Sequence, residues 1–179
     1  MKYFLLPFFL ICGFCGHTQT LIPSGSVWKY YDQGDVGTPS WQDNNFDDSA
    51  WASGNAELGY GDGDEATVVS FGPDANNKYI TTYFRKVINL TEQRSIDVQI
   101  KMDDGAVVYL NGTEVYRIGM TSGIIGHTTL ASSNADENQW HTFSMPQSES
   151  VIGNNIIAVE IHQATSTSSD ISLDFEATI

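Results

Sequence analysis

Oxygen-bearing side chains crowd two short stretches of this sequence. In residues 59–65 (GYGDGDE), Asp62, Asp64 and Glu65 stand among glycines. Glycine lets the backbone bend tightly enough for several oxygens to converge, which is what a hard cation such as calcium needs. No glutamate follows at the spacing of an EF-hand loop, so a solvated acidic loop is the competing reading. Asp43, Asp47 and Asp48 form the second group. There, Asp47, Asp48 and Ser49 can hydrogen-bond their own backbone and close a tight turn. Trp41 stands beside the second group and Tyr60 beside the first. An aromatic ring stacks on the apolar face of a pyranose while carboxylates fix its hydroxyls, so Trp41, Tyr60, Asp62, Asp64 and Glu65 are the candidate sugar ligands. Packing of Trp41 inside its own loop is an equal alternative. Trp28, Trp51 and Trp140 fall within or beside strand patterns and are expected in the core.

Catalytic signatures are missing. There is no HExxH zinc helix, no GxSxG elbow and no GxxxxGK[ST] phosphate loop. The four histidines, His17, His127, His141 and His162, lack metal-ligand spacing. Asp62 and Glu65 could act as the paired carboxylates of a small hydrolase, a role set by a separation that sequence does not show. The chain is therefore read as noncatalytic by itself. Its formal charge of −14, from 8 basic and 22 acidic residues, repels phosphate backbones and anionic membranes. Nucleic acid is thus excluded as an expected partner, and neutral glycans or cations are favoured.

The elements that must position these residues begin after a leader. Residues 1–18 combine a basic start at Lys2, an apolar run from Tyr3 to Phe14 and polar residues from His17, the layout of a secretory signal peptide. Both cysteines, Cys12 and Cys15, lie inside it, so the mature chain is expected to hold no disulfide and no thiolate. The product should be secreted or at the cell surface, with no membrane contact once the leader is removed. Residues 19–179 then read as one domain, long enough for one sizeable core.

That domain alternates with period two. Ile96, Val98, Ile100 and Met102 share one face of a strand, and Asp97, Gln99 and Lys101 the other. From Asp170 onwards, Ile171, Leu173, Phe175, Ala177 and Ile179 point one way, and Ser172, Asp174 and Glu176 the other, towards water. Asn111-Gly112 separates two short apolar runs and is a strong hairpin signal. Residues 80–90, 140–145, 156–162 and 27–31 read as further strands, and no convincing amphipathic helix appears. Residues 32–55 and 61–78 are irregular connections. Many short strands between Gly, Asn, Asp and Ser turns predict an all-β sandwich of two antiparallel sheets.

Four segments together carry a family resemblance: residues 46–51 (FDDSAW) continuing through Leu58-Gly59-Tyr60-Gly61, residues 79–86 (YITTYFRK), residues 103–115 (DDGAVVYLNGTEV) and residues 153–162 (GNNIIAVEIH). In this order they resemble galactose-binding-like jelly rolls, the accessory domains attached to bacterial secreted metallophosphoesterases and glycoside hydrolases. The resemblance implies a jelly-roll fold and a noncatalytic module that binds carbohydrate, or else a spacer or docking domain beside an adjoining catalytic domain. The metallophosphoesterase ligand motifs, Asp-x-His and a later Asn-His pair, are absent from this chain. The resemblance also implies a structural calcium joining a loop to an acidic residue near the C-terminus, for which Asp43, Asp47, Asp48 and Glu176 are the candidates.

The leader makes one expectation direct. Exported protein should start between Gly16 and Thr20 and contain no cysteine; N-terminal sequencing that still reads from Met1 would overturn it.

Overall fold

A computed structural model describes residues 18–133 and 139–179, so most of the expected leader lies outside the described residues. Twelve strands follow in chain order: β1 (Thr20–Ile22), β2 (Val27–Tyr31), β3 (Ala52–Asn55), β4 (Leu58–Tyr60), β5 (Thr67–Val68), β6 (Thr81–Leu90), β7 (Ile96–Asp103), β8 (Gly105–Leu110), β9 (Thr113–Ile118), β10 (His141–Met145), β11 (Gly153–His162) and β12 (Ile171–Thr178). They form two packed sheets. One has the order β10-β7-β12-β4-β5, with β1 also on β12; the other has the order β3-β2-β6-β11-β8-β9. All pairs are antiparallel except β4 with β5. The chain is an all-β jelly-roll sandwich.

The alternation sets the core. Val98, Ile100 and Met102 of β7 and Leu173, Phe175 and Ala177 of β12 meet Trp28, Phe84, Leu110, Ile157, Val159 and Ile161 of the facing sheet, all buried. The Trp28 and Phe175 rings pack edge to face, centroids 5.2 Å apart, and so join the sheets at the centre. The β8–β9 hairpin turns at Asn111 (φ 54°) and Gly112 (φ 88°), the left-handed pair its favoured turn requires.

Two expectations need correction. Ser172 and Asp174 are buried rather than wet. The turn between β1 and β2 lies over β12, where the Ser24 hydroxyl and Gly25 N–H donate to the Asp174 carboxylate. At Asp103-Asp104 the chain leaves β7 in one sheet and enters β8 in the other, and both aspartates are buried. Asp104 Oδ2 accepts the Ala164 N–H at 2.6 Å, which ties that corner to the segment after β11. Trp140, expected in the core, is 37% exposed just before β10. The short strands β1, β3, β4 and β5 escaped the pattern because two to four residues are too few to show a period.

Core packing gives a stability expectation. Ile100→Ala or Phe175→Ala should cost about 2–5 kcal/mol in denaturant unfolding. A loss below about 0.5 kcal/mol would mean that the side chain is not in the core.

Candidate functional site

The β6-β11-β8 sheet turns two kinds of side chain away from the core. Towards its β11 end the outward residues of β6 are Tyr83 and Arg85, because Phe84 between them points inwards. Glu160 of β11 lies directly opposite Tyr83. Tyr109 of β8 pairs with Ala158 and donates its hydroxyl to Glu160 Oε1 at 2.7 Å. A sheet face carrying such residues would normally be wet, but here the long 32–51 connection folds over it.

Arg85 holds that connection down. Its guanidinium is 2% exposed and donates to Trp41 O, to Asp43 O at 3.2 Å and, through Nε, to Asp48 Oδ2 at 2.9 Å. The Phe46 ring lies against it, 5.2 Å from the centroid. Trp41 is thereby set edge to face on Tyr83 (4.8 Å) and Tyr109 (5.6 Å), and Trp51 stacks beside it at 6.4 Å. These residues form a second, smaller apolar cluster outside the sandwich.

Between this clamped loop and the segment after β9 lies a cavity of about 510 Å³. Its floor is Tyr83, Tyr109 and Glu160; Asp35–Gln42 form one wall, and Arg117 with Gly123–His127 the other. His127 Nδ1 approaches Asp35 Oδ2 across the mouth at 3.5 Å. Glu160 is 4% exposed, and His162, two residues on along β11, sets Nε2 3.2 Å from its Oε2. Burial, reinforced by the Glu160 charge, pushes both the Tyr83 and the Tyr109 phenols well above their ordinary range. Both hydroxyls therefore keep their protons at any ordinary pH. A concave site with aromatic walls and a few converging polar groups is what a small polar ligand requires.

The residues expected from sequence as sugar ligands do not converge. Trp41 lines the cavity, but as a buried ring packed on others rather than as an exposed platform. Tyr60 is buried in β4 beneath Phe71 and Lys78, takes a hydrogen bond from Gln163, and has its phenol pushed up to about 12 by burial. Asp62, Asp64 and Glu65 are not part of the cavity lining. Glu65 instead accepts the N–H groups of Asp62 and Gly63 at 2.9 and 3.0 Å, and hydrogen bonds from backbone N–H groups hold its carboxyl below the usual range. Gly61 (φ 116°) is required there, since a Cβ would meet Asp170 Cβ at 2.6 Å.

The expected calcium set is likewise divided. Asp48 is spent on Arg85 and Lys29, and Asp47 closes a turn by accepting Ser49 N–H at 2.9 Å. Asp43 lies against Gly112 in the β8–β9 turn. Glu176 pairs with Gln99 in the β10-β7-β12 sheet and borders a groove with Asp97 and Thr178, apart from the loop that carries the other three. A different trio does meet: carboxylate oxygens of Glu57, Asp62 and Asp64 lie within 4.8 Å of one another. Glu57, which sequence reading missed, also binds Lys101 Nζ at 2.9 Å. No spacing signal marks Glu57, because only the β3–β4 and β4–β5 turns bring it to the aspartates.

No protein-family profile matches the sequence, and no curated protein is similar to it. The fold does recur in solved structures. A β-glucuronidase of glycoside hydrolase family 2 superposes with TM-score 0.58 at 18% identity over 90% of this chain and 17% of its own. A β-glucuronidase from Bacteroides uniformis gives 0.55 at 17% identity, over 90% of this chain and 18% of its own. A family 2 member from Bacteroides cellulosilyticus gives 0.55 at 16% identity, over 90% of this chain and 20% of its own. This chain thus spans about a fifth of each neighbour and corresponds to a small β-sandwich part of such proteins. None of these three is a metallophosphoesterase.

The clamp is testable. Arg85→Ala should cost about 3–5 kcal/mol, because it strands a partly buried carboxylate and releases the loop carrying Trp41. Lys29→Ala, at the exposed side of Asp48, should cost no more than about 1 kcal/mol. Equal losses in denaturant unfolding would show that Arg85 does not organise the site.

Proposed function

We propose that this chain is a noncatalytic, exported jelly-roll module that binds a carbohydrate in the cavity over the β6-β11-β8 sheet. The cavity carries the reading: about 510 Å³ suits one or two sugar rings, with Tyr83, Tyr109 and Trp41 as apolar surface and Glu160 as a buried hydroxyl acceptor. The module would serve a larger secreted or surface protein. The family 2 neighbours support attachment to a glycoside hydrolase; attachment to a metallophosphoesterase rests on the sequence resemblance alone. A spacer or docking role beside such a catalytic domain is the second reading, favoured by the small share of each neighbour that the chain spans.

Glycan arrays followed by calorimetry test the first reading. A glycan that binds the wild type should bind Tyr109→Ala at least about tenfold more weakly, since the ring and its hydrogen bond to Glu160 go together. No binding across a broad panel would leave the spacer reading.

Calcium belongs to the same proposal at a different place. One neighbour is described as a calcium-binding mutant of Bacteroides uniformis β-glucuronidase 2. Here the Glu57, Asp62 and Asp64 oxygens fit a hard cation, with Glu57 shared by Lys101. Calcium at about a hundredfold over its dissociation constant should add about 2.7 kcal/mol of stability. The rise in melting temperature should disappear with chelator and in Asp64→Ala. An unshifted wild type would make the cluster a solvated acidic surface.

A further inference from the structure

The cationic donors on the cavity wall are already spent, whereas two of its acceptors, on Gln42 and Glu160, are not. Arg117 donates through Nε and Nη2 to the two Glu114 oxygens at 2.7 and 2.6 Å, and through Nη1 to Thr121 O and to Gly123 O. It has little left to offer an anionic ligand. His127 leans on Asp35. On the acceptor side, Gln42 Oε1 is buried with no hydrogen-bond partner among the described residues. Glu160 has one oxygen occupied by Tyr109; the other faces His162 Nε2, 3.2 Å away but out of line for a hydrogen bond, so that nitrogen also lacks a partner. His162 Nδ1 is committed elsewhere, donating to Thr129 O at 2.7 Å.

The lining carries three carboxylates against Arg117 and a histidine at the rim; Glu114 is held by Arg117 and Asp35 by the Gly37 N–H and His127, so Glu160 is the one with an oxygen that accepts no hydrogen bond. A carboxylate buried as deeply as Glu160 is costly unless a positive charge or several donors reach it. Around it stand the faces and edges of Trp41, Tyr83 and Tyr109, and aromatic faces attract ammonium groups most strongly where water is excluded. Spent cations, unspent acceptors and an aromatic surround all favour the same ligand charge.

We propose that the cavity recognises a cationic group and, resting on the carbohydrate reading above, that this group is the ammonium of an amino sugar lacking its acetyl group. An acidic sugar is the class this wall should reject.

Calorimetry on the full chain decides it, with three probes: a glucosamine oligomer, the N-acetylated oligomer of the same length, and tetramethylammonium. The glucosamine oligomer should bind at least about tenfold more tightly than the acetylated one and weaken as salt is raised. Glu160→Gln, which keeps the shape and the acceptor for Tyr109, should remove most of that preference. Asp35→Asn, at an exposed position, should reduce it without any effect on folding, and keeps the test valid if the Glu160 variant is unstable. Equal or tighter binding of the acetylated oligomer would overturn the cationic preference and leave the carbohydrate reading standing. Binding of tetramethylammonium but of neither oligomer would support the cation site and remove the sugar. No binding of any probe would remove both.

Discussion

Arg85 lies under a loop, on the outward face of a sheet, with 2% of its side chain exposed. A guanidinium there has to be matched on all its nitrogens, and the 41–48 segment matches it with two carbonyls and a carboxylate. Once those bonds form, the loop has no freedom to lift away. Trp41, Phe46 and Trp51 then bury against Tyr31, Tyr83 and Ile156, and the sandwich acquires a second apolar cluster that two sheets alone would not have. The cavity exists because this added layer stops short of the segment after β9. The cavity wall, the position of Trp41 and the engagement of Asp48 thus follow from one buried charge. Ion pairs of this kind add little net stability over an apolar substitute, but they specify one arrangement, and here that arrangement sets the cavity wall.

The two outer faces of the sandwich differ accordingly. The β10-β7-β12 face carries Asp97, Gln99, Glu176 and Thr178, and its groove holds about 260 Å³. The β6-β11-β8 face is flanked on one side by the 32–51 loop and on the other by the segment after β9, and its concavity is larger, about 510 Å³. The Asp103-Asp104 corner links the halves. It passes the chain from one sheet to the other, and its carboxylate on Ala164 N–H fixes the exit of β11, the strand that carries Glu160 and His162. His162 is then anchored through Nδ1 to Thr129 O, which ties the second wall of the cavity to the same strand.

Strand faces were legible in the sequence wherever packing alone decides them. Ile96 to Met102 alternates because one side meets the core and the other meets water, and that is how β7 is built. β12 shows the limit: Ser172 and Asp174 look like a wet face, yet both are buried, and Asp174 is met by Ser24, 150 residues earlier, and by Gly25. Nothing local reports a long-range cover. The residues of the cavity floor were hidden for the same reason. Tyr83, Tyr109 and Glu160 sit at ordinary strand positions, and Glu160 reads as one polar residue in an apolar run. A charged residue in the middle of a central strand was the available signal, since such a position is buried on both sides and needs a partner. Loop acids drew attention instead because glycine and aspartate advertise turns, whether or not those turns bind anything.

Binding and catalysis differ in this cavity by how its carboxylates are used. Glycoside hydrolysis ordinarily needs two carboxyl groups free to face one bond, one to give a proton and one to attack or to activate water. Glu114 is locked onto Arg117 by two hydrogen bonds, and Asp35 stands at the exposed rim beside His127. Glu160 alone reaches the floor, and its nearest phenol, Tyr109, is held protonated by burial and by the carboxylate itself. That phenol is a fixed donor rather than a proton carrier. Aromatic walls, one buried acceptor and no free second acid among the described lining residues fit the proposed reading of a module that holds its ligand.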